Sequence, residues 1–208
     1  DKINKIVIAQ QEDFDKTWKK IQEEMAEQKI FIKTPKKLTE KQKDFARKYF
    51  DEEVESNVIP ILLHDNVPLP YLREKSLYLG IAMRRKDWQY TTKFAIIEVP
   101  AKSNGRFVIL PTENNDETDI MLLEDVIAFN LPHIFSYFGY DEFKANAFKV
   151  TKDAEFDLDN DIRTSYAEKI EKGIKSRRKG KPTRFVFDKD MDKSLVEFLI
   201  KKLDLSKK

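Results

Sequence analysis

The chain contains no cysteine, only five glycines and only two histidines among its 208 residues. The lack of cysteine excludes disulfides, thiolate catalysis and cysteine-based zinc sites. With so few glycines there is no glycine-rich phosphate loop and no Gly-x-Ser-x-Gly nucleophile elbow. The two histidines, His64 and His133, both stand outside basic sequence clusters. We therefore expect no catalytic residue and no metal ligand in this segment.

A strong net charge is also lacking. Lysine and arginine number 39, aspartate and glutamate number 37, and the net charge is +2. The overall charge therefore does not argue for a nucleic-acid partner, and any polyanion site must come from local clustering. No apolar run approaches the roughly 20 residues needed for a transmembrane segment, and no signal peptide is visible. The 15 phenylalanines and 7 tyrosines indicate a folded, soluble chain. Its start, DKINKIVIAQ, lacks an initiator methionine and indicates a piece excised from a longer protein.

Hydrophobic periodicity predicts an α+β fold with a mixed β-sheet and helices packed on it. The spacing predicts a leading helix over 12–29, and Thr39 with Gln42 has the pattern of a capping box that starts a second helix. The stretch 113–119 is a predicted polar loop. Strands are predicted at 76–84, 92–100, 106–111, 145–158 and 183–188, with further helices at 122–135, 160–179 and 191–203. We interpret residues 1–208 as a single domain, in which 1–35 form a leading helix and connector.

The stretch VTKDAEFDLDND carries an acidic residue at every second position from Asp153 to Asp161. Counted from Asp157, it nearly matches a calcium-binding EF-hand loop. Position six, however, is Ile162 where the sharp turn requires glycine, so calcium binding is disfavoured. The alternation is typical of a strand with one buried and one polar face, running into the start of a helix.

The stretch KSRRKGKPTR, residues 175–184, is the strongest basic cluster of the sequence. Its cations suit a dense polyanion such as polyphosphate, but they also suit the solvated C-terminal end of a helix. Both interpretations remain open. The polyanion-binding candidates are Lys175, Arg177, Arg178, Lys179, Lys181 and Arg184, with Arg84 and Arg85 as a smaller cluster at a strand end.

Several segments together resemble the middle, or head, domain of bacterial polyphosphate kinase. They are IPILLHDNVPLPYL, RFVILP, IMLLEDVIAFNLPHIF, NAFKVTKDAEFDLDNDI and PTRFVFDKDM, in the order of that family, and the similarity covers residues 36–203. The chain departs from the family pattern at Lys152, where arginine is usual, and at Asp192, where proline is usual. Lys152 keeps the positive charge without the planar fork of arginine, and it joins the polyanion-binding candidates.

The resemblance implies a parent enzyme, an ATP-polyphosphate phosphotransferase, that reversibly transfers the γ-phosphoryl group of ATP to inorganic polyphosphate with Mg²⁺. In that family a phosphorylated histidine in other domains carries the chemistry. This segment alone is therefore expected to be inactive and to bind no cofactor itself. Its implied role is dimerisation and shaping of the active-site tunnel, and its implied fold is the layered one of phosphohistidine phosphatases.

The resemblance also implies the partners and the location of the parent. The expected partners are a second copy in a homodimer, the other domains of the same chain and inorganic polyphosphate, with no nucleic acid. The implied location is cytoplasmic, with peripheral association with the inner membrane as a further alternative.

Two other functions compete with this interpretation. One is a free-standing phosphatase or phosphotransferase that uses His64 or His133, and the lack of a catalytic constellation disfavours it. The other is an independent polyanion- or nucleic-acid-binding module built on residues 175–184, which the near-neutral net charge disfavours.

Overall fold

The structure, a computed structural model, describes residues 2–86, 88–152 and 182–205. The predicted helix 160–179, the stretch compared with a calcium loop and the cations from Lys175 to Lys181 lie outside the described residues. The chain divides into two compact units, Asp1–Asn57 with Pro100–Asn130 and Val58–Val99 with Leu131–Lys208. The single-domain organisation stays a prediction, while both units combine helices with a sheet, as an α+β fold requires.

The helices and strands of the described residues are as follows. In chain order they are α1 (Lys2–Glu27), β1 (Ile30–Lys33), α2 (Glu40–Tyr49), β2 (Pro60–Leu63), β3 (Tyr78–Arg85), β4 (Trp88–Glu98), α3 (Ala101–Asn104), β5 (Phe107–Leu110), β6 (Thr118–Leu122), α4 (Leu123–Phe129), α5 (Leu131–Ile134), β7 (Glu142–Lys152), β8 (Pro182–Phe187) and α6 (Lys193–Lys202). The predicted strand 145–158 corresponds in its described part to β7, and 183–188 corresponds to β8. The predicted helix 191–203 corresponds to α6.

The first unit contains a three-stranded sheet in the order β1-β6-β5, in which β1 is parallel and β5 antiparallel to β6. One face of this sheet is buried through Val108, Leu110 and Met121, where α2 and α4 pack. The loop predicted at 113–119 is wrong at its end, because β6 begins at Thr118. Asp119 lies buried in that strand and accepts a hydrogen bond of 2.7 Å from the Gln42 side chain.

Helix α2 begins with the predicted capping box, which is confirmed. The Thr39 hydroxyl accepts from the Gln42 amide at 3.3 Å, and the Gln42 side chain accepts from the Thr39 amide at 3.2 Å. Two backbone donors that the first turn leaves without helical partners are thereby satisfied. A π-helical turn, Phe50–Val54, continues the helix and buries the side chains of both Phe50 and Val54.

The second unit contains a five-stranded sheet in the order β2-β4-β3-β7-β8, with every neighbouring pair antiparallel. The predicted strand 92–100 corresponds to β4, whose nearly continuous apolar run fits a strand that is covered on both faces. Strand β4 lies between β2 and β3, and three consecutive residues, Ala95, Ile96 and Ile97, are buried although they alternate between the two faces.

Helix α6 covers one face of the five-stranded sheet. Gly80 on β3 allows the close approach, because a Cβ added there would lie 3.1 Å from Leu195 Cδ2 and 3.2 Å from Met191 Cε. The core on this face consists of Leu63, Leu72, Tyr78, Ile96, Phe148, Val150, Met191, Leu195, Leu199 and Leu203. Phe148 and Val150 share the buried parity that the sequence predicted for this strand.

Two predicted helices have different bounds in the structure. Strand β6 takes Leu122 from the predicted helix 122–135, and the remainder is interrupted at Asn130, between α4 and α5. The Asn130 side chain donates a hydrogen bond of 2.9 Å to the Val126 carbonyl and so stabilises the end of α4. The leading helix begins ten residues earlier than predicted, at Lys2 rather than residue 12, and its apolar face is largely exposed.

Candidate polyanion-binding site

The described polyanion-binding candidates lie at opposite ends of the five-stranded sheet. Strands β3 and β7 run antiparallel, with Tyr78 opposite Phe148 and Arg84 opposite Glu142. Arg84 therefore lies toward one end of the pair and Lys152 toward the other, separated by about ten residues of strand, or roughly 33 Å. Arg184 pairs with Thr151 and belongs to the Lys152 end. Among the described candidates, the structure thus separates Arg84 from Lys152 and Arg184.

Arg84 is bound to the start of α6. Its Nη2 donates to Asp192 Oδ2 at 2.7 Å, and its Nε donates to Thr92 Oγ1 at 3.1 Å. Asp192 is the N-cap of α6, and its side chain also accepts from the Ser194 and Leu195 amides and from the Ser194 hydroxyl. These contacts give Arg84 a structural partner, so it is a weaker polyanion candidate than its charge indicated.

The environment of Asp192 keeps its carboxylate ionised. Burial raises the pKa of Asp192, but the hydrogen bonds from Ser194 and Leu195 and the charge of Arg84 outweigh that effect. The net result is a pKa below the ordinary value of 3.8. Asp192, which stands where the family pattern usually has proline, is therefore an ionised N-cap of α6.

Arg85 follows Arg84 at the end of β3, where the register with β4 shifts between Met83 and Arg85, and its surroundings differ from those of Arg84. It is partly buried, and its guanidinium lies near Gly139, where an added Cβ would be 3.8 Å from Arg85 Nη1. Gly139 has a φ of 67°, a left-handed conformation that a side chain would disfavour. The two arginines are therefore neighbours in sequence but do not form one cationic surface.

At the other end of the sheet, Lys152 packs on an aromatic ring. Its Nζ lies 3.9 Å from the centroid of the Tyr71 ring, which is the geometry of a cation–π contact. Burial lowers the pKa of Lys152, and the nearby carboxylate of Glu74 partly offsets this. The contact fixes the direction of the amine at the end of β7, where the sequence alone gave no signal for Tyr71.

Arg184 lies on β8, the edge strand of the sheet, and is exposed. Its cross-strand partner Thr151 is exposed, whereas the next pair, Val150 with Phe185, faces the core. Within the part of the chain that the structure describes, Arg184 has no ion-pair partner.

The two histidines lie in separate elements of the second unit. His64 directly follows β2, and His133 lies in the short helix α5. Both are exposed. In the described ranges 2–86, 88–152 and 182–205, no helix is long and apolar enough to cross a bilayer.

Comparisons with known proteins agree with one another. The family model for the polyphosphate kinase middle domain matches residues 41–208. Polyphosphate kinase of Vibrio parahaemolyticus is 33% identical over 198 residues, which are 94% of this chain and 28% of the relative. Polyphosphate kinase of Escherichia coli K12 is 32% identical over 209 residues, covering 99% of this chain and 30% of the relative.

A solved structure shares the fold. The crystal structure of polyphosphate kinase from Porphyromonas gingivalis superposes with a TM-score of 0.74 at 24% identity, over 96% of this chain and 28% of that one. The chain thus spans less than a third of the length of the relatives it matches. The specific likeness to phosphohistidine phosphatases stays a prediction.

Proposed function

Because this chain belongs to the polyphosphate kinase middle-domain family, we propose that it is the non-catalytic head domain of a polyphosphate kinase. The observation that carries the proposal is the family match over residues 41–208, which includes parts of both structural units. The parent enzyme would transfer the γ-phosphoryl group of ATP to polyphosphate with Mg²⁺, reversibly and in the cytoplasm. In this proposal the chemistry belongs to other domains of the parent.

The domain would support the reaction by contributing to a homodimer and by shaping the tunnel through which polyphosphate passes. The contacts of the described residues support a structural rather than a catalytic role for this domain. The strongest charged contacts of the second unit, such as Arg84 with Asp192, hold elements together. A phosphohistidine requires a histidine among cationic groups, and the sequence around His64 and His133 offers none.

The test is turnover by the 208-residue chain itself. The chain is mixed with Mg²⁺, ATP and a short polyphosphate primer, and ADP formation and chain elongation are followed beside the full-length parent. We expect activity from the parent alone. Turnover by the isolated chain that disappears in His64→Ala or His133→Ala would overturn the proposal and support a free-standing phosphotransferase.

A second candidate function, polyanion binding, is favoured by the Lys152 end of the sheet. Arg184 is exposed there, the Lys152 amine is held on Tyr71, and the basic segment 175–181 directly precedes Pro182, the cross-strand partner of Lys152. Phosphate oxygens accept short hydrogen bonds from the charged side chains of lysine and arginine. We propose that polyphosphate contacts this end rather than the Arg84 end.

Salt-dependent binding tests this placement. Binding of a defined polyphosphate is measured from 50 to 300 mM salt for the chain, for Lys152→Gln/Arg184→Gln and for the matched control Lys93→Gln/Lys201→Gln, which also removes two exposed or partly exposed charges. The first variant is expected to weaken binding several-fold and to lower the slope against salt by up to about 2, roughly one per lost phosphate contact. Equal losses in both variants would show that only the overall charge matters.

A further inference from the structure

The five-stranded sheet separates its charges between its two faces. Its strands contain only two carboxylates, those of Glu98 and Glu142. Glu98 is opposite Tyr78, and Glu142 is opposite Arg84. Tyr78 belongs to the core beneath α6, and Arg84 is bound to the N-cap of α6. Both carboxylates therefore lie on the α6 face, and the described strands carry no acidic residue on the outer face, which points away from α6.

Two cations of the outer face are neighbours on adjacent strands. Lys149 on β7 is opposite Val186 on β8, and Thr151 is opposite Arg184. Lys149 and Arg184 thus occupy diagonal positions on one face, which are roughly 7–8 Å apart in a sheet. Both side chains are exposed, and neither forms an ion pair or a side-chain hydrogen bond with another described residue. We call these two residues the Lys149–Arg184 pair.

On the described strands of the outer face, the pair has no carboxylate beside it. Like charges in neighbouring cross-strand positions destabilise a sheet, and a bound anion would remove that repulsion. The Lys149 ammonium offers three hydrogen-bond donors and the Arg184 guanidinium a planar fork of five, and both groups bind phosphate oxygens. The exposed Thr151 hydroxyl beside Arg184 supplies a further donor. The pair therefore suits a ligand with at least two linked anionic groups.

The neighbours of the pair favour a bare phosphate chain over a nucleic acid. Proteins hold single-stranded nucleic acids largely by stacking the bases on aromatic side chains. The residues that flank the pair on the outer face are small or aliphatic, namely Ala147, Thr151 and Val186. The aromatic residues of β8, Phe185 and Phe187, lie on the α6 face, because Phe187 is opposite the core residue Phe148 and Phe185 shares its parity. The outer face thus offers cations without a stacking platform.

We propose that the Lys149–Arg184 pair binds inorganic polyphosphate on the outer face of the five-stranded sheet, with each cation on a different phosphate of one chain. The inference rests on the proposed polyphosphate kinase function, and it adds Lys149 to the residues that contact the polyanion. Lys152 is a separate contact, because its amine lies on the Tyr71 ring. A phosphate chain that reaches Arg184 continues from there along β7 toward Lys149.

The test is a double-mutant cycle on the 208-residue chain, with tripolyphosphate as the probe. Calorimetric titration at about 50 mM salt gives the Kd of the unsubstituted chain, of Lys149→Gln, of Arg184→Gln and of the variant that carries both substitutions. Each single substitution is expected to weaken binding about 5- to 10-fold. The double variant is expected to bind about 10- to 20-fold more weakly, rather than by the product of the two factors, because the first substitution already ends the bridging of the two cations.

Lys144→Gln is the matched control. Lys144 is an exposed lysine of the same strand, and it lies on the opposite face because five residues separate it from Lys149. Its Kd is expected to stay within about twofold of that of the unsubstituted chain, and Lys149→Arg is expected to retain binding. Equal losses in Lys149→Gln and Lys144→Gln would overturn the inference, since they would show an effect of overall charge. No loss in Lys149→Gln, or no binding by the unsubstituted chain, would overturn it as well.

Competition with oligothymidylate separates the two classes of polyanion. The oligonucleotide is expected to displace tripolyphosphate at least about 10-fold less well at equal phosphate concentration, because the pair lacks a stacking platform. Equal displacement would contradict a site for bare phosphate chains. Circular dichroism of each variant confirms the fold. These failures are distinguishable from failure of the proposed function, since turnover of the isolated chain decides that function and Lys152→Gln/Arg184→Gln decides the placement at the Lys152 end.

Discussion

Asp125 is a carboxylate that the fold keeps mostly out of water. It lies in the first turn of α4 beside Glu124, and Glu124 is itself paired with Arg106 at 2.6 Å. Among the described residues, Asp125 makes no hydrogen bond or ion pair. Burial raises the pKa of Asp125 from 3.8 to about 6, and the charge of Glu124 adds to the effect. The folded chain therefore holds the Asp125 proton to a higher pH than the unfolded chain does.

This shift determines how the free energy of unfolding depends on pH. Between pH 3.8 and about 6 the folded chain binds a proton that the unfolded chain has released, so the free energy of unfolding falls as pH rises through this interval. A difference of about two pKa units corresponds to an upper limit of about 3 kcal/mol. Asp125→Asn removes the ionisation and is expected to gain about 1–3 kcal/mol at pH 7.5 and close to nothing at pH 3.5.

Urea unfolding of both proteins at pH 3.5, 5 and 7.5 measures the effect. Glu113→Gln, which neutralises an exposed carboxylate, is the matched control and is expected to change the free energy of unfolding by less than about 0.5 kcal/mol at every pH. A gain from Asp125→Asn that is the same at pH 3.5 and 7.5, or no gain at pH 7.5, would refute the reasoning.

Three further substitutions test the packing of the two units. Gln42→Ala removes the capping box and the hydrogen bond to Asp119. It is expected to lower the free energy of unfolding by about 2–4 kcal/mol, which thermal or urea unfolding measures. Gln42→Glu would not restore the hydrogen-bond donor to Asp119. Asp192→Ala is expected to cost about 1–2 kcal/mol through loss of the α6 cap, and Asp192→Ser, which can still cap, should recover part of it. Gly80→Val is expected to cost about 1–3 kcal/mol because its side chain meets Leu195, and an equally stable variant would contradict the tight contact seen there.

Local signals in the sequence predicted the elements whose causes are local. The capping box at Thr39 depends on two residues three apart, and the run around Ile96 is apolar at every position because both faces are covered. The alternation at Phe148 and Val150 likewise reflects a single buried face. These features could be predicted because each is encoded within one short stretch.

The features that were missed depend on residues far apart in the chain. Asp119 appeared to belong to a polar loop, but it is a buried strand residue whose Oδ2 accepts a hydrogen bond from Gln42, 77 positions away, and whose Oδ1 lies 3.3 Å from the Lys33 amine. Arg84 appeared to be a free cation, but Asp192, 108 positions away, binds it. A single sequence contains no signal for such pairs, so the composition of the candidate site had to come from the structure.

The central claim, that this domain supports a polyphosphate kinase without performing its chemistry, is tested most directly in the full-length parent. Both histidines of the domain are replaced, as His64→Ala/His133→Ala, and the rate of ATP-dependent polyphosphate synthesis is measured at saturating Mg²⁺ and ATP. The account predicts a kcat within about twofold of the unsubstituted enzyme, because neither side chain takes part in phosphoryl transfer. A loss of kcat on the order of 1,000-fold, in a protein that remains folded, would show that a residue of this domain takes part in the chemistry.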